Sequence, residues 1–232
     1  MSSPALVLVH GSFHREEMWG ALIGELPGID VRTIQLPSSA PVPVDQLGDM
    51  YGDAEAVRRL VLDIGGPVVV CAHSYGGVPV SEGLAGVGAV EHLVYLNSFV
   101  LDVGESMLGN RGGSYPPHWG VHEDERYIEM LGAEKVFYND LPEPEAKAAA
   151  AGLGPQSLVS MRQPLTRAAW HTTPSTYVIG ERDAGLPAPM REKFGARLGN
   201  VRRMDTSHSP FYSRPAETAA LLREVLTGRP TR

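Results

Sequence analysis

Short, unbroken apolar runs recur along the chain and are separated by amphipathic stretches of helical period. Residues 5–9 (Ala-Leu-Val-Leu-Val) and 68–72 (Val-Val-Val-Cys-Ala) carry no polar alternation, as expected of parallel strands buried on both faces. Residues 30–36, 92–97, 175–180 and 200–204 read as further strands. Between them, residues 16–26 place Met18, Trp19, Leu22, Ile23 and Leu26 on one helical face, and residues 47–64 do so with Ala56, Val57, Leu60 and Ile64. Helices are also expected over 76–85, 189–198 and 215–226, ahead of a short polar tail at 227–232. This alternation predicts an α/β class with a mostly parallel central sheet flanked by helices on both faces.

The alternation fails between residues 100 and 173. Loop composition dominates there, with short helices expected at 123–131 and 143–151, so the segment is read as an inserted helical cap. The organisation expected is one structural domain: core residues 1–99, cap 100–173 and core 174–232.

Composition narrows the class of partner. The net charge of −7 argues against nucleic acid or an anionic membrane surface. No run of eighteen apolar residues marks a transmembrane helix, and the N-terminus lacks the charged region of a signal peptide. The single Cys71 cannot form an internal disulfide and lies in an apolar strand, which fits an inert core thiol and a cytoplasmic location. A homodimer is compatible with these features.

Candidate chemistry collects at the carboxyl ends of the expected strands, where open α/β sheets place their sites. The strand at 68–72 runs into His73-Ser74-Tyr75 and then Gly76-Gly77, a sharp strand-to-helix turn with Ser74 at its apex and small residues, Ala72 and Gly76, on either side. A serine hydroxyl needs a base within hydrogen-bond reach and a third group to orient that base. His208, in the loop before the last helix, is the candidate base, and Asp183, after the strand at 175–180, the candidate orienting acid. Glu181 and Asp102 are competing acids. His73, His92, His118, His122 and His171 fit the base role less well, and His10 reads as a brace for its loop. Backbone donors for a developing oxyanion are expected at Ser12 and Tyr75. Phe13, His14, Trp119 and Tyr138 are candidate pocket residues, beside further cap aromatics such as Tyr115, Tyr127 and Phe137. The pairs His10/His14 and His118/His122 have His-x-x-x-His spacing but fall in loops without the accompanying Glu, so no metal is expected; no glycine-rich nucleotide loop follows a strand, so no cofactor is expected.

Together Leu8-Val-His-Gly-Ser12, Ala72-His-Ser-Tyr-Gly-Gly77, Leu93-Val-Tyr-Leu96, Gly180-Glu-Arg-Asp183 and Ser207-His-Ser-Pro-Phe211 resemble the α/β-hydrolase superfamily over nearly the whole chain. The resemblance is strongest to its small single-domain branch of plant-type methylesterases, hydroxynitrile lyases and bacterial esterases. It implies an α/β-hydrolase fold and cleavage of a small-molecule carboxylic ester, lactone or thioester through an acyl-enzyme; the cap aromatics Tyr115, Trp119, Tyr127, Phe137 and Tyr138 suggest that the acyl or alcohol group is apolar or aromatic. The lyases of that branch carry Thr where this chain has Gly11 and Lys where it has Ser209, so the resemblance favours hydrolysis. Two alternatives stay open at this level: a cofactor-free lyase or cyclase reusing the Ser–His pair, and a ligand-binding module with a slow or vestigial triad.

Overall fold

A computed structural model of the chain describes residues 3–124 and 126–228; of the polar tail expected at 227–232, Thr227 ends the last helix and residues 229–232 lie outside the described residues. Strand β1 (Ala5–Val9) leads through a 3-10 turn into α1 (Gly20–Gly24), then β2 (Val31–Ile34). Helix α2 (Met50–Ile64) precedes β3 (Val68–His73), α3 (Gly77–Gly83) and β4 (Val90–Leu96). An intervening region holds β5 (Trp119–His122), β6 (Tyr127–Met130), α4 (Ala133–Val136), α5 (Glu143–Ala151), β7 (Gln156–Ser157) and α6 (Leu158–Arg162). The core resumes with β8 (Ser175–Gly180), α7 (Ala188–Leu198), β9 (Val201–Met204), α8 (Pro210–Ser213) and α9 (Pro215–Thr227).

Six strands form one parallel sheet in the order β2-β1-β3-β4-β8-β9. Every residue of β1 and β3 is buried, as their unbroken apolar composition requires. Cys71 sits between Leu8 and Val94 in register, and burial pushes its thiol pKa up to about 12, which leaves it inert. Helices α2 and α3 pack against each other, and α1 packs against α8 and α9. Helix α2 starts at Asp49, whose carboxylate accepts from the Gly52 N–H at 2.8 Å, and stops at Gly65 in the left-handed region. Its fully buried stripe runs through Met50, Asp53, Ala54, Val57 and Val61, with the expected Leu60 and Ile64 packed on its edge, and it carries Asp53 into the interior. No helix among the described residues is long and apolar enough to cross a membrane.

The intervening region differs from the all-helical expectation. The helix expected at 123–131 is not formed: residues 123, 124 and 126 are in turns and Tyr127–Met130 is strand β6, which pairs antiparallel with both β5 and β7. Ile128 is fully buried while Glu129 beside it is exposed, the two-residue alternation of a half-buried strand. The hairpin is fixed by Arg126 at φ 62° and by the His122 and Tyr127 rings, stacked 4.3 Å apart. The helix expected at 143–151 is α5.

Candidate active site

The carboxyl ends of β3, β8 and β9 converge. Strand β3 ends at His73, and Ser74 follows with φ 51°, a left-handed conformation that a non-glycine residue holds only where its surroundings impose it. Two bonds to the Ser74 carbonyl oxygen impose it, from the Ser98 hydroxyl at 2.6 Å and the Phe99 N–H at 3.1 Å. The turn also needs a bare backbone opposite: a β-carbon on Gly11 would lie 2.7 Å from the Ser74 β-carbon and 2.9 Å from His73 Nδ1.

Ser74 Oγ lies 3.0 Å from His208 Nε2, and His208 Nδ1 lies 2.9 Å from Asp183 Oδ2. The second Asp183 oxygen accepts from the Gly185 N–H at 2.7 Å and the Leu186 N–H at 3.0 Å, so the carboxylate is held at both ends. With Nδ1–H donating to Asp183, Nε2 is free to accept the Ser74 proton. The competing acids are engaged elsewhere, Glu181 with Arg203 and Asp102 with His171. So are two of the other histidines: His92 bonds Thr176, and His122 bonds Glu129.

His208 is carried by the loop after β9, and Asn97, at the end of β4 with φ 44°, anchors that loop. Its amide nitrogen donates to the carbonyls of Ser207 and His208 at 3.0 and 3.1 Å, and its oxygen accepts from the Gly180 N–H. Three further buried histidines surround the site. His10 donates through Nδ1 to the Gly11 carbonyl and accepts at Nε2 from the Leu36 N–H; burial lowers its pKa to about 4. His14 donates to the Ser12 carbonyl and accepts from the Tyr138 hydroxyl, and burial takes it to about 3. His73 donates to the His208 carbonyl and is held well below the usual histidine range, first by burial and then by the charge that His208 would carry. All three are therefore neutral near pH 7 and do not compete with His208 for a proton.

The Ser12 backbone N–H makes no hydrogen bond among the described residues, and the Tyr75 N–H, in the first turn after β3, has no intrahelical acceptor. The Tyr75 ring points away from the site. Its hydroxyl donates to Asp53 Oδ2 at 2.6 Å, and the same carboxylate accepts from the Ser38 N–H at 2.8 Å and the Ser38 hydroxyl at 2.5 Å. Gln156, on β7, donates to the Ser38 hydroxyl at 2.7 Å and accepts from the Phe13 N–H at 3.3 Å. One buried network thus ties both loops that present the free N–H groups to residue 156 of the intervening region.

Of the expected pocket residues, Phe13 and Trp119 line the space over Ser74, with rings 6.3 Å apart. His14 and Tyr138 do not; they are fully buried behind it and bonded to each other, because Phe137 takes the facing position and stacks 4.8 Å from the His208 ring. The pocket also takes in Phe99, Met107, Arg111 and His118. Arg111 carries no sequence signal, since it lies in a Gly-rich turn far from any motif.

The model of the alpha/beta hydrolase family matches residues 6–221. "Alpha/beta hydrolase nvfD" of Aspergillus novofumigatus is 30% identical, with 97% of each chain covered. Among solved structures, a pyrethroid hydrolase from Sphingobium faniae superposes with a TM-score of 0.81 at 20% identity, over 97% of this chain and 98% of that one. A methylesterase from Arabidopsis gives 0.79 at 19% identity, over 97% and 99%. The chain belongs to the alpha/beta hydrolase family.

Proposed function

We propose that the protein is a serine hydrolase that cleaves a small-molecule carboxylic ester, a lactone or a thioester being chemically equivalent, through an acyl-enzyme. The observation that carries this reading is the unbroken line Ser74 Oγ to His208 Nε2 to Asp183, at 3.0 and 2.9 Å. In the first half-reaction Ser74 Oγ bonds to the ester carbonyl carbon while His208 takes its proton. The negative charge on the carbonyl oxygen meets the Ser12 and Tyr75 N–H groups. The carbon–oxygen bond to the alcohol then breaks, and His208 gives its proton to the departing alkoxide. Water repeats the sequence on the acyl-enzyme and releases the acid and free Ser74. Asp183 keeps the imidazole in the tautomer that can accept and stabilises the imidazolium formed.

The ester assignment draws support from the family, from relatives of this fold whose names are pyrethroid hydrolase and methylesterase, and from Ser209 directly after His208, where lyases of the resembling branch have Lys. The buried lone Cys71 supports a cytoplasmic setting. Hydrolysis of a panel of p-nitrophenyl esters by wild type, Ser74→Ala and His208→Ala tests the reading. Each variant is expected to lose at least roughly a thousandfold in kcat, with circular dichroism unchanged. Full turnover by folded Ser74→Ala would sink it.

A further inference from the structure

The pocket over Ser74 is walled by Phe99, Met107, Trp119 and Leu186, yet it contains one permanent cation, Arg111. This side chain is half-buried. One guanidinium nitrogen donates to the Gly185 carbonyl at 3.1 Å, and the guanidinium carbon lies 5.9 Å from the centre of the Phe99 ring. Its Nε is buried without a hydrogen-bond partner, and no carboxylate pairs with it among the described residues. A guanidinium stays charged at any ordinary pH, and burying one without a counter-ion is costly. The negative charge that acts on it is that of Asp183, which is already committed to His208 and to two backbone N–H groups.

His118, the second polar side chain on this wall, is disfavoured as a cation, mainly by burial and then by the charge of Arg111. The proposed chemistry would add a second positive group when His208 takes the Ser74 proton, and that one is matched by the negative charge that develops on the substrate carbonyl oxygen. Arg111 is therefore a cation whose counter-charge nothing on the pocket walls supplies.

We infer that the substrate supplies it: Arg111 anchors a carboxylate or comparable anionic group of an ester whose remaining bulk is apolar, such as a half-ester of a dicarboxylic acid. This rests on the hydrolase reading for the reaction but not for the binding. The planar fork of the guanidinium suits a carboxylate, and the aromatic and aliphatic walls suit the carbon chain between the two ends. This contact is made in the ground state and the transition state alike, so its benefit is expected mainly in KM.

The test has two arms. In the first, kcat/KM is compared for p-nitrophenyl hemiglutarate and p-nitrophenyl valerate, esters of equal chain length that differ in the terminal charge. Wild type is expected to prefer the hemiglutarate by about tenfold or more, the scale of one charge-assisted hydrogen bond, and Arg111→Gln to lose the preference. Because the preference is a ratio, any disturbance of the Asp183 loop through the Gly185 bond cancels. In the second arm, Ser74→Ala protein is titrated with monomethyl glutarate and with methyl valerate. Binding of the anion over the neutral ester, abolished when Arg111→Gln is added, is expected. If the second arm shows no Arg111-dependent preference, the inference is overturned, whatever the kinetics. If it does while wild type cleaves neither ester, the anion site stands and the hydrolase reading falls.

Discussion

Asp53 makes a quantitative prediction about how the site is held together. It is fully buried, accepts three hydrogen bonds from Ser38 and Tyr75, and its only nearby formal charge of note is that of Asp49, which adds to the strain. Burial outweighs the three donors and raises its pKa from 3.8 to about 7. The folded state then binds a proton that the unfolded chain has released over the range between those two values, so Asp53 stabilises the fold at low pH and loses that contribution as pH rises through about 7. Between pH 5 and pH 8 the loss amounts to about 2–3 kcal/mol. His10, His14 and His73 act in the opposite sense below pH 6.5, because they are held neutral in the fold and bind protons when it opens. Wild-type stability alone therefore mixes two trends. The difference between Asp53→Asn and wild type separates them, since the amide imitates the protonated acid and does not titrate. Urea unfolding at pH 5, 6, 7 and 8 is expected to show the variant gaining on wild type by about 2–3 kcal/mol across the series, whatever its offset at pH 5. A constant difference would refute the reasoning, and a difference that falls with pH would reverse it.

Two further substitutions probe the supports of the Ser74–His208 pair. Asn97→Ala orphans the buried Gly180 N–H, removes one of the donors to each of the Ser207 and His208 carbonyls, and leaves a non-glycine residue at φ 44°, so unfolding by urea is expected to show a loss of roughly 2 kcal/mol or more; a loss under about 1 kcal/mol contradicts the anchoring role. Gly11→Ala forces a β-carbon against Ser74 and His73, which lie close to the backbone and cannot swing away. Turnover of p-nitrophenyl acetate is expected to fall about a hundredfold, as for a misplacement of about 1 Å, and unimpaired turnover would show that the turn has slack.

Much of this architecture is legible in the sequence because buried parallel strands have no alternation to lose. Ala5–Val9 and Val68–His73 are continuous apolar runs that could lie only between two helix layers, and each ends in the residues that the site uses. The order Ser74, Asp183, His208 follows from reading off strand ends. Residues 123–131 misled because the acidic stretch before Tyr127 resembles a helix start, whereas pairing of Tyr127 and Ile128 with Ser157 and Gln156, remote in sequence, selects a strand. The buried roles of Asp53 and Gln156 were invisible for a different reason. Their partners, Ser38 and Phe13, are remote in sequence, and a polar residue in a helix or at a loop edge reads as solvated until the fold buries it. Tyr138 looked like a pocket residue and is a support for His14, a distinction of one position from Phe137 that no composition or period encodes.

The central claim is that Ser74 is the atom that forms the covalent intermediate. Wild-type protein treated with a fluorophosphonate, digested and mapped by mass spectrometry reports this directly. The account predicts one adduct, on Ser74, absent from Ser74→Ala and from His208→Ala. Labelling of another residue, or of none in folded wild type, would contradict it.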